Sequence, residues 1–209
     1  MRIKWFSLIR ITGLLLVLLY HFFQTIFSGG FFGVDVFFTF SGFLITSLLL
    51  EEFGKKSQID LLGFFKRRFY RIVPPVVLMV LVTMPFTLLV RQDYVAGIGG
   101  QIAGVFGFMT NFYEMLTGGS YESQFIPHLF VHNWSLAVEV HYYILWGLAV
   151  WFLSKRSKSS SQLRGTVFLL SAGAFIISFF SMFIGSLMAS SYSSVYFSSL
   201  THVYPFFLG

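Results

Sequence analysis

The sequence predicts an all-α, polytopic integral membrane helical bundle, and three observations predict it. Hydrophobic residues make up 56% of the chain and charged residues only 11%, against about 25% charged in an ordinary soluble domain. Mean hydropathy is +0.78, and the apolar residues fall into runs of about 20, the length that crosses a bilayer. The basic residues are clustered: of 14 Lys and Arg, three lie in 2–10, six in 55–71 and four in 155–164, with only Arg91 elsewhere. Clusters at alternate ends of apolar spans follow the positive-inside rule, which assigns those three stretches to the cytoplasm. The net charge of +6 therefore reads as topological, and no nucleic-acid partner is expected. The 29 Phe fit the same class, because bulky aromatics fill lipid-facing and interhelical space without unsatisfied polar atoms. With no Cys, disulfides, thiolate chemistry and Cys-based metal sites are excluded.

Each element has its own reason. The first span covers 8–28 and runs outward from a cytoplasmic N-terminus; it is too long for a signal-peptide core and carries Arg10 and His21, so cleavage is not expected. The second, 31–50, returns and ends at Glu51-Glu52. Within the cytoplasmic segment 51–71, residues 59–70 read as a short amphipathic interfacial helix, with Ile59, Leu61, Leu62, Phe64, Phe65 and Phe69 apolar. Pro74 and Pro75 open a third span, 72–90, since missing N–H groups matter little in a first turn. It exits at Arg91-Gln92-Asp93.

Residues 98–116 are apolar enough to cross, yet Gly97, Gly99, Gly100, Gly104 and Gly107 interrupt them. A crossing would place Lys155, Arg156, Lys158 and Arg164 outside, against the charge rule. The stretch is read instead as a re-entrant or outer-interfacial segment, which must pack in protein or line a cavity. A fourth span then runs inward over 128–153, and the Ser-rich stretch 154–165 is a cytoplasmic loop. A fifth span covers 166–188, and after a Ser/Tyr-rich outer loop a sixth begins near Leu200. That makes about five complete spans and the start of a sixth. The last span stops at Gly209 in mid-bilayer, so 1–209 reads as the N-terminal part of a longer membrane domain. No internal repeat is visible.

Polar residues inside such spans need a reason, because unsatisfied polar groups in hydrocarbon cost several kcal/mol. Arg10 and His21 are eleven residues apart, about three helical turns and roughly 16 Å, so they share a face. His21, Asp35 and Glu139 all fall in the outer half of the membrane. An Asp can orient an imidazole and raise its basicity, making a general base near neutral pH; the structural alternative is a hydrogen-bonded pair tying two helices together. His128, His132, Ser135, Glu139 and Tyr143 form a polar stripe at spacings of three and four, either a substrate wall or a packing face. His128 and His132 at i, i+4 have Glu139 two turns further on, a poor ligand spacing, and no metal is expected. Arg67 and Arg71 share a face, as do Arg68 and Arg71. Arginine forks suit phosphates, though anchoring topology or contacting anionic lipid explains such clusters as well. Ser41-Gly42 sits mid-span, where a small pair serves close helix packing more often than nucleophilic attack.

Together these residues resemble the membrane acyltransferase 3 family. The resemblance is carried by Arg10 and His21, Gly33-Val34-Asp35-Val36-Phe37-Phe38, and Ser41-Gly42-Phe43-Leu44-Ile45. It continues in Phe65-Lys66-Arg67-Arg68-Phe69-Tyr70-Arg71-Ile72-Val73-Pro74, Asn133-Trp134-Ser135-Leu136-Ala137-Val138-Glu139, and the stretch from Tyr196 to Gly209. It spans nearly the whole chain and is nearest to the peptidoglycan O-acetyltransferases of Gram-positive bacteria. Two departures stand out: Val140 and His141 follow Glu139 where the family commonly has Glu and Gln, and His202 stands where Arg is frequent.

The resemblance implies transfer of an acetyl group from cytosolic acetyl-CoA to an extracytoplasmic carbohydrate hydroxyl, that of N-acetylmuramic acid in peptidoglycan, in the cell membrane. It also implies an SGNH-type domain C-terminal to the membrane core. On this reading His21 is the base or acyl-handling residue, Asp35 orients it, and Glu139 is a supporting acid/base group. Arg10, Arg67, Arg68 and Arg71 face the anionic acyl-CoA, while Ser41, Trp134, Ser135 and Tyr143 contact substrate. The alternative from another class is a transporter or flippase of an envelope precursor, although paired broken helices and inverted repeats, the usual transporter marks, are not seen.

Overall fold

The computed structural model describes residues 4–23, 25–89, 97–117, 128–189 and 192–209, and those residues form helices and connecting turns. The predicted exit of the third span at Arg91-Gln92-Asp93 lies outside them. Helix α1 is Lys4–Phe22, followed by a turn and the 3-10 segment Ser28–Phe32. Helix α2, Gly33–Lys56, returns and ends at Ser57 in the left-handed region, φ 54°. Helix α3 is Leu61–Phe86, and a hairpin of two short helices follows, α4 (Ile98–Phe106) and α5 (Thr110–Thr117). Helix α6, Trp134–Arg156, and helix α7, Ser160–Met188, form the next antiparallel pair. Two short helices complete the description, α8 (Tyr192–Phe197) and α9 (Tyr204–Leu208).

Four of these helices, the ones containing α2, α3, α6 and α7, are long and apolar enough to cross a membrane, and α1 contributes a shorter apolar stretch, Leu8–Phe22. The chain is an all-α multi-pass membrane bundle. Its centre is α2 against α6: 39% of each apolar window is buried in protein, against 11% for α3 and α7, which face outward. The reason is legible in the spacing. Trp134, Val138, Tyr142, Trp146 and Val150 recur every four residues on one face of α6, and all are buried. They meet Phe38, Ile45 and Leu49 of α2, and the Trp146 indole donates to Thr46 Oγ1 at 2.9 Å.

Several predicted boundaries move. The first span ends at Phe22 rather than 28, because the chain turns at Thr25-Ile26 and tightens into a 3-10 segment. The amphipathic segment 59–70 and the third span are one helix, with Pro74, Pro75 and Pro85 inside it and Asp60 capping Gly63 N–H at 2.9 Å. Prolines remove i to i−4 bonds, but membrane helices tolerate them where neighbouring groups satisfy the freed carbonyls. The Ser-rich loop shrinks to residues 157–159: Ser159 caps Gln162 N–H at 3.2 Å and α7 starts at Ser160, ahead of the predicted start at 166. The fourth span starts at Trp134, which leaves His128 outside it.

The segment 98–116 does not cross. Helices of nine and eight residues are about 14 and 12 Å long, against a hydrocarbon core of about 30 Å. They fold back on each other at Gly107-Phe108-Met109, where Phe108 has φ 52° and Met109 N–H reaches Gly104 O at 2.7 Å. The tip enters the bundle, since Phe108 shares a cavity wall with Val140 and Tyr143 of α6. Thr110 Oγ1, Asn111 Oδ1 and Glu114 Oε1 have no hydrogen-bond partner among the described residues. Other polar groups of the segment are packed in protein: Gln101 accepts from Phe130 N–H at 3.2 Å, and Asn111 donates to Phe197 O and Ser199 Oγ. This is the condition for a re-entrant segment.

Helix α9 lies along α2, with Phe206 stacked on Phe38 and Tyr142 at 4.3 Å. Gly42 permits the approach, because a Cβ there would overlap the Phe206 carbonyl. Gly42→Ala is expected to lower the thermal unfolding midpoint in detergent, by the 1–3 kcal/mol typical of overpacking at about its upper end. Gly173→Ala on α7, with nothing within 4 Å, is the control and should be neutral or slightly stabilising.

Candidate active site

Helix α1 brings His21 to its last turn, one residue before its end, rather than deep in the span. The His21 Nδ1 lies 2.8 Å from Val17 O. A carbonyl only accepts, so Nδ1 carries the proton and Nε2 is the basic nitrogen. Its ring meets His132, from the 3-10 turn Val131–Asn133 before α6, with centroids 4.8 Å apart and planes at 77°. Both imidazoles line one cavity of about 510 Å³ between α1, α2 and α6, together with Ser41, Trp134, Ser135 and Glu139. Five predicted site residues and one unassigned histidine thus converge on a single space.

At the cavity's inner wall, Ser41 Oγ donates to Glu139 Oε1 at 2.5 Å, and the Tyr143 hydroxyl donates to the same oxygen. Two charge-assisted bonds on one carboxylate oxygen fix Glu139 against both α2 and α6. Trp134, which also lines the cavity, is 1% exposed; its ring packs in the aromatic core, 4.8 Å from Tyr196 and 5.4 Å from His202. Ser135 Oγ bonds back to His132 O at 3.3 Å.

Asp35 is placed differently from the expectation that it orients His21. Its Oδ1 is 2.8 Å from His202 Nε2, and its Oδ2 receives the Tyr204 hydroxyl at 3.5 Å. The other nitrogen of His202, Nδ1, is 2.7 Å from Tyr196 O. Both ring nitrogens of His202 are thus met by oxygens. His202 is 2% exposed, so Asp35 anchors the 196–204 segment to the first turn of α2. His128, expected on the polar stripe with His132, turns instead to Glu114 of α5 at 2.8 Å. Burial raises the Glu114 carboxyl above its ordinary range, and the His128 bond offsets part of that.

The four arginines separate into two sets. Arg67 pairs with Glu52 of α2 at 3.4 Å. Arg10 and Arg68 face the bundle: the Arg10 guanidinium lies 4.6 Å over Phe40, and Arg68 lies 5.7 Å over Phe64 and 5.8 Å over Tyr143. Arg71 acts electrostatically on both, and both feel Tyr143 and Glu139. The buried Arg68 Nε has no hydrogen-bond partner among the described residues. Like charges held together around an unmet donor form a site that an anion would complete.

His132, His202 and Tyr204 gain roles that the sequence did not give them. His132 has a faint signal, its place on the stripe above Glu139. Asp35 and His202 are 167 residues apart, and no spacing argument joins them.

Comparison with known proteins follows the geometry. The family described as acyltransferase domain matches residues 3–209. The O-acetyltransferase OatA of Staphylococcus aureus strain NCTC 8325 / PS 47 is 34% identical over 193 residues, covering 92% of this chain and 31% of OatA. OatA of Staphylococcus aureus strain COL gives the same values. The chain thus spans about a third of the length of the curated relatives it matches. No solved structure matches.

Proposed function

The chain belongs to the acyltransferase domain family, and on that premise we propose that it carries the membrane core of an O-acetyltransferase. The donor is cytosolic acetyl-CoA and the acceptor an extracytoplasmic carbohydrate hydroxyl, that of N-acetylmuramic acid in peptidoglycan. One observation carries the reading: His21, Ser41 and Glu139 line one cavity whose inner wall abuts the Arg10, Arg68 and Arg71 cluster. This supports a base and an anion site on the two sides of one hydrogen-bonded wall.

In this mechanism the arginines hold the phosphates of the donor, with the unmet Arg68 Nε as one available donor. His21 Nε2 takes the proton of the acceptor hydroxyl. The hydroxyl oxygen bonds to the thioester carbonyl carbon, the C–S bond breaks, and the proton ends on the departing thiolate. Base catalysis of this kind contributes about 10²–10⁴-fold. A C-terminal SGNH-type domain of the full-length protein acts with this core in completing the transfer, in keeping with relatives about three times as long.

The test uses sealed membrane vesicles of both orientations containing the full-length protein and radiolabelled acetyl-CoA. Label is expected to enter a carbohydrate ester only when acetyl-CoA reaches the face bearing Lys55, Lys66 and Lys155. Ester formation from the opposite face would overturn the topology. No ester from either face, with an envelope precursor crossing instead, would replace the enzyme with a transporter.

A further inference from the structure

A second cavity, of about 690 Å³, lies on the other side of the Glu139 wall. It is bounded by Phe65 and Ile72 of α3, Phe108 at the α4–α5 turn, and Tyr143 and Ile144 of α6, with Lys66 and Arg68 on its basic side. Tyr143 is 8% exposed. It lines this second cavity while its hydroxyl bonds the carboxylate that lines the first. Ser41, Glu139 and Tyr143 therefore form a shared partition, held by two hydrogen bonds to one carboxylate oxygen.

We propose that Tyr143 is a specificity-determining residue that limits the transferred group to a short acyl chain. The inference rests on the acyltransferase reading above. The occupant of the second cavity is the acyl thioester arm of the donor: its walls are apolar, and Lys66 and Arg68 complement an anionic donor. The acyl carbonyl must reach the partition for the acceptor oxygen to bond to it as the C–S bond breaks and the hydroxyl proton passes to the thiolate. A methyl group fits against the Tyr143 ring. A longer tail must push the ring off Glu139 or leave the carbonyl short of the partition. Apolar pockets discriminate about 10–200-fold per methylene, so the ring gives strong selection over two or four added carbons.

The experiment measures transfer from acetyl-, butyryl- and hexanoyl-CoA by the full-length protein in membranes, as the ratio of rates within each variant. That ratio is independent of how much protein inserts, so a purely structural loss leaves it unchanged. The wild type is expected to prefer acetyl over butyryl by at least about 100-fold. Tyr143→Leu and Tyr143→Ala should shrink that preference at least about tenfold, whereas Tyr143→Phe, which keeps the ring, should hold it. Matching ratios for the Phe and Leu variants would overturn the proposal. So would loss of transfer from every donor in both the Leu and Ala variants, which would make the ring part of the transfer machinery. A wild type that transfers no acyl group from any donor would instead overturn the acyltransferase reading itself.

Discussion

His21→Gln in the full-length protein is expected to insert and express normally yet lose acetyl transfer by at least about 10²-fold, approaching 10⁴-fold. The structure sharpens the reason. His21 sits in the last turn of α1 with Nδ1 donating to Val17 O, so the basic nitrogen of the ring is Nε2. Glutamine keeps a hydrogen-bonding side chain of similar reach but has no basic nitrogen. A role confined to tying helices together predicts the reverse, a near-wild-type Gln variant and a poorly expressed His21→Ala variant. Rates normalised to inserted protein separate the two, and an active His21→Gln enzyme would sink the catalytic assignment. His132 gives the natural comparison: it faces His21 at 4.8 Å and lines the same cavity.

The second large effect is on the Asp35–His202 pair. His202→Ala is expected to lower stability by about 3 kcal/mol, the lower end for breaking a buried ion pair by removing one partner. The lower end applies because the Asp35 side chain keeps 19% exposure while His202 has 2%. The loss should appear as a lower unfolding midpoint in detergent. It should be concentrated in the segment that holds α8 and α9 against α2, read as faster hydrogen exchange over 196–208. His202→Arg restores a cation with forked donors and should recover most of the loss, whereas His202→Gln should recover less. Equal behaviour of the Ala and Arg variants would show that the pair does not hold this segment. Asp35→Asn should mirror the His202 variant in stability. Its effect on transfer should be much smaller than that of His21→Gln, because Asp35 bonds His202 and Tyr204.

The class of the protein, the order of its long helices and most of its cavity residues were legible in the chain itself. Hydropathy and basic clusters are local properties, each readable within one helix length, and they suffice for the α2, α6 and α7 spans and for the refusal of 98–116 to cross. The four-residue recurrence from Trp134 to Val150 likewise announces the buried face of α6 without any partner in view. Motif residues such as His21, Ser41 and Glu139 announce themselves because polar groups in apolar runs demand satisfaction. What that satisfaction would be was decided only by tertiary structure. Ser41 meets Glu139 across 98 residues and Asp35 meets His202 across 167, separations at which no periodicity carries information. Asp35 was expected at His21, and the packing of Phe206 over Gly42, which lays α9 along α2, brings His202 to it instead. Prolines 74 and 75 read as a helix start from local propensity, yet the bundle keeps α3 continuous through them. Local chemistry sets which groups must be buried and paired; the close approach of helices far apart in sequence sets which partners they find.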